Sequence, residues 1–304
     1  MSLRCWSPPP TASAGQLFPP GKMTPTRSPC EEDLVESDQV RTSRFPVIRG
    51  RKHHTGESGC PIHASDSVAP APPLVGIEAA QKRIEAALRN GESLVVVGPA
   101  GCGKTRLLQE CCHAVPGTAF VEYRTNLHQF LQALATSLVE AGHDRIPFDV
   151  TRKTSVHLRG VLWNALEKRP GRLIVDGVDS ASFPVLRFFQ RIYFVRGMSI
   201  VVSARDGVAL GALGRLFWDP RKTVQLSPLN EAASAELFAN AVEAYGVRAV
   251  NLDDFRCRAL DAAGGIGGQI VAMCRLAARP EYLTKSGRIK FELVRIDSLV
   301  RTVV

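Results

Sequence analysis

No stretch of this 304-residue chain stays apolar for the ~18 positions that a membrane-spanning helix needs. Nor does the N-terminus hold a continuous apolar segment of the secretory-signal kind. Together these absences predict a protein that neither spans a membrane nor is exported, and so one that works in the cytoplasm. Eight cysteines are present, at 5, 30, 60, 102, 111, 112, 257 and 274, but without the paired spacing of a disulfide framework. Such a scatter suits a reducing compartment. The chain also lacks any run of Lys and Arg, and no aromatic residues interleave with basic ones, although its formal net charge is +9. That charge admits DNA as a partner without marking a surface for it.

What is abundant is aliphatic: 45% of residues are hydrophobic, enough Leu, Val and Ile for a sizeable core. They are unevenly placed. Twelve of the twenty prolines fall within the first 73 positions, among Ser, Thr and Gly and without apolar periodicity, so residues 1–70 read as a disordered leader. Met23 offers an alternative start of translation. Within the leader, His53, His54, Cys60 and His63 lack a second paired ligand set and read as a solvated polar stretch rather than a metal site.

From Pro73 onward the pattern becomes periodic. A helix is expected over Glu78 to Asn90, stopped at Gly91, then a buried strand over Ser93 to Val97. Further strands are expected at Thr118 to Tyr123, Arg172 to Asp176, Met198 to Ser203 and Thr223 to Leu226. Helices separate them: one around Leu127 to Leu138 closed by Gly142, one over His157 to Lys168, and one over Phe183 to Arg196 built on Phe188, Phe189, Ile192 and Phe194. Alternation of this kind predicts an α/β fold with a five-stranded parallel sheet and helices on both faces. After Asn230, a candidate N-cap, the pattern is helical only: Glu231 to Tyr245, Asp253 to Ala262 and Gln269 to Ala278. The expected domains are therefore the leader, an α/β core over 71–228, and a small all-α piece over 229–304.

Between the first strand and the next helix lies Gly98-Pro99-Ala100-Gly101-Cys102-Gly103-Lys104-Thr105, which fits G-x-x-x-x-G-K-[ST]. The glycines let the backbone curl so that successive N–H groups face a phosphate chain, helped by the positive end of the following helix, which runs on through Arg106. Lys104 adds a full charge near the β- and γ-phosphates, and the Thr105 hydroxyl can ligate Mg²⁺. Downstream, the apolar strand Leu173-Ile174-Val175 ends in Asp176, where such proteins keep the carboxylate that orients Mg²⁺. The next residue, where a water-polarising acid would be useful, is Gly177. The nearest acid is Asp179. Either Gly177 bends the chain so that Asp179 returns toward the γ-phosphate, or Asp179 caps the helix that starts near Ala181.

Over roughly Pro73 to Tyr282 these motifs resemble the AAA+ superfamily and the neighbouring STAND NTPases. The octet Gly98–Thr105 is similar to Walker A, and Leu173–Asp176 to Walker B. The string Asp176-Gly177-Val178-Asp179 resembles the Walker B of NACHT-type STAND proteins more than the Asp-Glu of ordinary AAA+ enzymes. The resemblance implies a P-loop sheet of the ASCE type with a helical lid, and ATP with Mg²⁺ as ligands. It implies that Ser203 or Arg205, in the strand resembling sensor 1, reads the γ-phosphate. It also implies that Arg215, with Arg221 second, is an arginine finger, in which case a neighbouring subunit is needed. Two departures stand out. Ile77 occupies the place of a usual Arg in the adenine-side segment Leu74–Glu78, and Gly267 the place of the lid proline, with no Arg at sensor 2. Among subgroups, the chain looks most like the origin-recognition and transposition-helper type.

The expected function is an ATP-binding protein that hydrolyses ATP and switches an unidentified partner, a protein, a second copy of itself, or DNA. Its alternative is a regulatory module that binds ATP or ADP with little turnover, which Gly177 and the altered lid favour. A small-molecule kinase would also use this loop, but the chain shows no cluster of Arg and Asp around an acceptor pocket.

Overall fold

Leu94-Val95-Val96-Val97 is buried on both faces, so this strand has to lie inside a sheet and not at its edge. In the computed structural model, which describes residues 71–144, 146 and 154–303, it is β1 (Leu94–Val97) and lies fourth in a five-stranded sheet. With β2 (Thr118–Glu122), β3 (Arg172–Asp176), β4 (Ser199–Ala204) and β5 (Thr223–Gln225) the order is β2-β3-β4-β1-β5. Every pairing is parallel, with Leu94 opposite Val201, Val95 opposite Thr223, and Leu173 opposite both Ala119 and Ile200. The leader, with its histidines and Cys60, lies outside the described residues.

Period-two alternation sorts the strand side chains into two cores. Leu94, Val96, Ile174 and Val201 meet α1 (Glu78–Asn90) and α2 (Lys104–Ala114). Val95, Val97, Leu173, Val175 and Val202 meet α3 (Leu127–Glu140), α4 (Ser155–Lys168) and α5 (Phe183–Tyr193). The helix ends follow local chemistry. Gly91 takes the left-handed cap that stops α1. Asn126 and Thr154 accept N–H bonds at the starts of α3 and α4.

The expected strands and helices are present with ends shifted by a few residues. The largest shift is at α5, which stops at Tyr193 rather than Arg196. There the Val195 N–H turns back to the Ile192 carbonyl and Gly197 adopts φ +84°, so Phe194 leaves the core and is 77% exposed.

After β5 the chain is helical: α6 (Glu231–Tyr245), capped by the Asn230 side chain, then α7 (Leu252–Ala263), α8 (Gly267–Ala277) and α9 (Phe291–Val303). These four share one apolar cluster around Phe238, Phe255, Ile270, Met273 and Phe291. Helix α9 extends the all-α piece beyond the three helices expected. Leu229, at the junction, packs on both this cluster and the α1–α2 core.

Candidate functional site

The loop between β1 and α2 is shaped by contacts that exclude side chains. A Cβ on Gly98 would stand 2.7 Å from the Leu226 carbonyl. Gly101 has φ +77°, and a Cβ there would stand 2.9 Å from Ile266 Cγ2. Gly98 N–H donates to the Arg205 carbonyl at 3.1 Å, which ties the loop to the end of β4. Helix α2 begins without a side-chain cap and has no acidic residue in its first turn. Its leading N–H groups and positive dipole are therefore turned to the loop's concave side, a ready anion site. The Lys104 ammonium rests on the carbonyls of Gly98 (2.7 Å) and Pro99 (2.9 Å).

Behind the loop, the second strand motif closes on the first. Thr105 Oγ1 donates to Asp176 Oδ2 at 2.6 Å. Asp176 is 8% exposed at the end of β3. Its other oxygen accepts from the hydroxyl of Ser203, which is fully buried in the neighbouring strand. Ser203 Oγ in turn accepts the Gly177 N–H at 2.8 Å. Ser203 thus spends its hydrogen bonds on the carboxylate and the backbone that carries it. Thr105 and Asp176 bring one hydroxyl and one carboxylate together. That oxygen pair suits Mg²⁺, which takes few protein ligands and fills its shell with water and phosphate oxygens.

Asp179 takes neither of its two expected places cleanly. The cap position of α5 is Ser182, so Asp179 does not cap that helix. Instead the chain turns at Gly177 (φ +73°) and Ser180 (φ +64°), while the Val178 N–H still bonds the Ser203 carbonyl at 2.8 Å. This leaves Asp179 beside the end of β4, where Arg205 Nε donates to it at 2.7 Å. The two residues offered by the sequence for water and phosphate contact therefore hold each other.

A cleft of about 330 Å³ opens between this loop, the segment before α1 and the start of α8. One side is Gly101 to Arg106; the others are apolar, with Leu74, Ile77, Leu229, Leu237 and Val271. Ile77, where the resemblance expects Arg, supplies part of this apolar wall. Polar atoms on one side and aliphatic carbon on the other suit a phosphate chain joined to a flat base. Arg106 borders the cleft and reaches the Ala71 carbonyl at 3.5 Å. The helical piece touches the loop directly: Gly268 N–H donates to the Gly101 carbonyl at 2.8 Å. Leu237 and Val271 carry no motif in the sequence, because single apolar positions inside helical periodicity read as packing.

The two arginines offered as fingers differ. Arg221 is engaged with Asp219 through two N–H bonds, at 2.9 and 3.1 Å, and this pairing holds the Asp219 carboxyl below the usual carboxylate range. Arg215 is exposed on a short 3₁₀ turn, Gly211–Phe217, and has no bonding partner among the described residues.

Residues 88–209 match the family described as AAA domain. No curated protein sequence matches the chain. Among solved structures it resembles Cdc6p from Pyrobaculum aerophilum, at 16% identity and TM-score 0.53, over 70% of this chain and 64% of that one. It thus spans less than two thirds of that relative's length. The Walker-type ATPase of Pyrococcus abyssi is similar at 14% identity and TM-score 0.53, over 78% of this chain and 74% of that one. The ORC2 protein of Aeropyrum pernix, solved as ADPNP–ADP complexes, gives 16% identity and TM-score 0.51, over 78% and 71%. Residues 88–209 are thus similar to an AAA domain, and the chain shares the fold of these solved structures, among them origin-recognition proteins.

Proposed function

We propose that this chain binds ATP with Mg²⁺ in the cleft beneath α8, hydrolyses it, and uses the cycle to switch a partner. The observation that carries the reading is the Thr105–Asp176–Ser203 chain directly behind the phosphate loop, with Thr105 to Asp176 at 2.6 Å. The loop from Gly98 through Pro99, Ala100, Gly101, Cys102 and Gly103 cradles the phosphates with its N–H groups. Lys104 leaves its carbonyl partners for the β- and γ-oxygens, and Arg106 borders the same cleft. Thr105 and Asp176 would hold the metal, which would supply neutralisation of charge on the transferring phosphate. Ser203 keeps Asp176 aimed. Water attacks the γ-phosphorus, the bond to the β–γ bridging oxygen breaks, and ADP and phosphate leave. Asp179, once parted from Arg205, orients that water, and Arg205 turns to the γ-phosphate. Arg215 serves a neighbouring subunit's site. Residues 71–228 form the nucleotide-holding core and 229–304 the lid.

Purified protein should release phosphate from ATP, and Lys104→Ala should abolish that release. Turnover unchanged in this variant sinks the proposal. Measuring it with and without duplex DNA, with the native mass in each nucleotide state, separates DNA from a second copy as the switched partner.

A second reading keeps the binding and drops the turnover. Gly177 follows Asp176 directly, and Asp179 is held by Arg205 at 2.7 Å. Tight ATP or ADP binding without phosphate release would select this module over the enzyme.

A further inference from the structure

Two helices on the far side of the sheet from α1 and α2 bring together a set of side chains that the sequence keeps apart. Arg159 of α4 and Arg187 and Arg191 of α5 line one open groove of about 610 Å³, with Gln190 and Phe194. Helix α5 has no carboxylate, and α4 has only Glu167. None of the three arginines has an ion-pair partner among the described residues. Two of the three have a flat face occupied from within the chain. Arg187 lies over the Phe183 ring at 5.6 Å, and Arg191 over the Trp163 ring at 4.6 Å. Arg187 and Arg191 are exposed and Arg159 is half-buried. At the two ends of α5, Phe183 is 69% exposed and Phe194 77%.

This combination has a cost that a bare surface does not explain. Two phenylalanines stand in water, and three cations line one groove without an ion-pair partner among the described residues. Arginine and aromatic residues are the types that concentrate at the centres of protein interfaces, where lysine is depleted. The groove lining contains no lysine and no hydroxyl, the side chains that most often share phosphate contacts with arginine. Arg187 and Arg191 stand four residues apart on one helix, so their Cβ atoms are spaced by about 6 Å. Carboxylates one turn apart on a facing helix have the same spacing and accept two N–H bonds each.

We propose that the α4–α5 groove is a docking site for an acidic segment of a partner protein, with its carboxylates on Arg159, Arg187 and Arg191 and its apolar residues on Phe183 and Phe194. None of these residues lines the nucleotide cleft. The inference therefore goes beyond the ATP reading, and Lys104→Ala, which tests that reading, should leave this docking intact.

The test uses the full chain and three labelled probes followed by fluorescence anisotropy at low and moderate salt. The first is a 20-residue helical peptide with Glu at i, i+4 and Leu between. The second is the same peptide with Lys for Glu, and the third is oligo(dT) of equal length. The Glu peptide should bind, and the doubly charge-reversed variant R187E/R191E should weaken it about tenfold or more. The Lys peptide should bind that variant better than it binds the parent chain, while Phe194→Ala weakens the Glu peptide without altering its salt dependence. Thermal melting of each variant close to the parent's shows that the fold is kept. The proposal is overturned if the Glu peptide does not bind, or if it binds parent and reversed variant alike. Tighter binding of oligo(dT) than of the Glu peptide, lost in R187E/R191E, also overturns it and makes the groove a nucleic-acid surface.

Discussion

Ser203 is the side chain whose role the structure changes most. A serine in that strand suggested contact with the γ-phosphate, yet its hydroxyl is buried and shared between Asp176 and the Gly177 N–H. Replacing it by Ala leaves a buried N–H unpaired and frees the carboxylate to turn, a loss of about 1–3 kcal/mol in stability. On the proposed roles, in which Asp176 would orient the metal and the loop would bind the phosphates, Ser203→Ala is expected to lower kcat for ATP hydrolysis while KM changes little. Steady-state kinetics and a denaturant melt check both halves. Sequence could supply the residue but not this role, since a β4 hydroxyl meets a β3 carboxylate only through the sheet register. A second residue-scale expectation concerns His143, which is 5% exposed and has no hydrogen-bond partner at Nδ1 among the described residues. Burial, with Arg169 nearby, pushes its pKa below the ordinary imidazole value. The unfolded chain therefore takes up a proton at about pH 6.5 that the folded chain refuses. This contribution is complete above that pH and is lost as pH falls from there toward the lower folded-state value. Melting temperature followed from pH 7.5 to 5.5 should fall less steeply in His143→Leu than in the parent.

At the scale of elements, the contact between α8 and the phosphate loop carries the next expectation. Gly268 donates its N–H to Gly101, and a Cβ at 268 would stand 2.7 Å from that same carbonyl oxygen. Gly268→Ala must lift the start of α8 away from the loop. Nucleotide affinity is expected to fall about tenfold, or 1.4 kcal/mol, with the α/β core still folded. Calorimetric titration with ADP, alongside circular dichroism, reads both. An affinity equal to the parent's would show that α8 does not help close the cleft. Elements differed in how openly they showed in the sequence. Strand β1 is a short all-apolar run and β3 has the apolar centre Leu173-Ile174-Val175, patterns that a sheet interior accepts. Helix α9 did not stand out because Leu293, Ile296, Leu299 and Val300 face outward while Phe291 and Val294 face inward, which blurs its periodicity. The end of α5 was overrun for a related reason: Phe194 continues an apolar pattern that Gly197 interrupts in space. At the site, the loop octet was legible as a fixed motif, whereas the pairing of Asp179 with Arg205 depends on a turn that starts at Gly177 and that no motif specifies.

At the scale of the whole molecule, Arg215 offers a test of assembly. It is exposed and unpartnered among the described residues, while Arg221 is already held by Asp219. If Arg215 completes a neighbour's site, turnover per chain should rise with protein concentration, and Arg215→Ala should abolish that rise without changing ATP affinity. Mixing Arg215→Ala with Lys104→Ala should restore part of the activity, because one variant keeps an intact loop and the other an intact finger. Arg221→Ala should behave like the parent in the same assay. Sheet order carries a further consequence, in the timing of synthesis. Strand β1, which ends in the phosphate loop, pairs only with β4 and β5: Leu94 with Val201, Val95 with Thr223. A ribosome therefore makes the loop roughly a hundred residues before it makes the strands that hold it in shape. Until β4 has emerged, the growing chain cannot set Ser203 behind Asp176, so ATP should give no protection from protease to nascent chains that stop short of it.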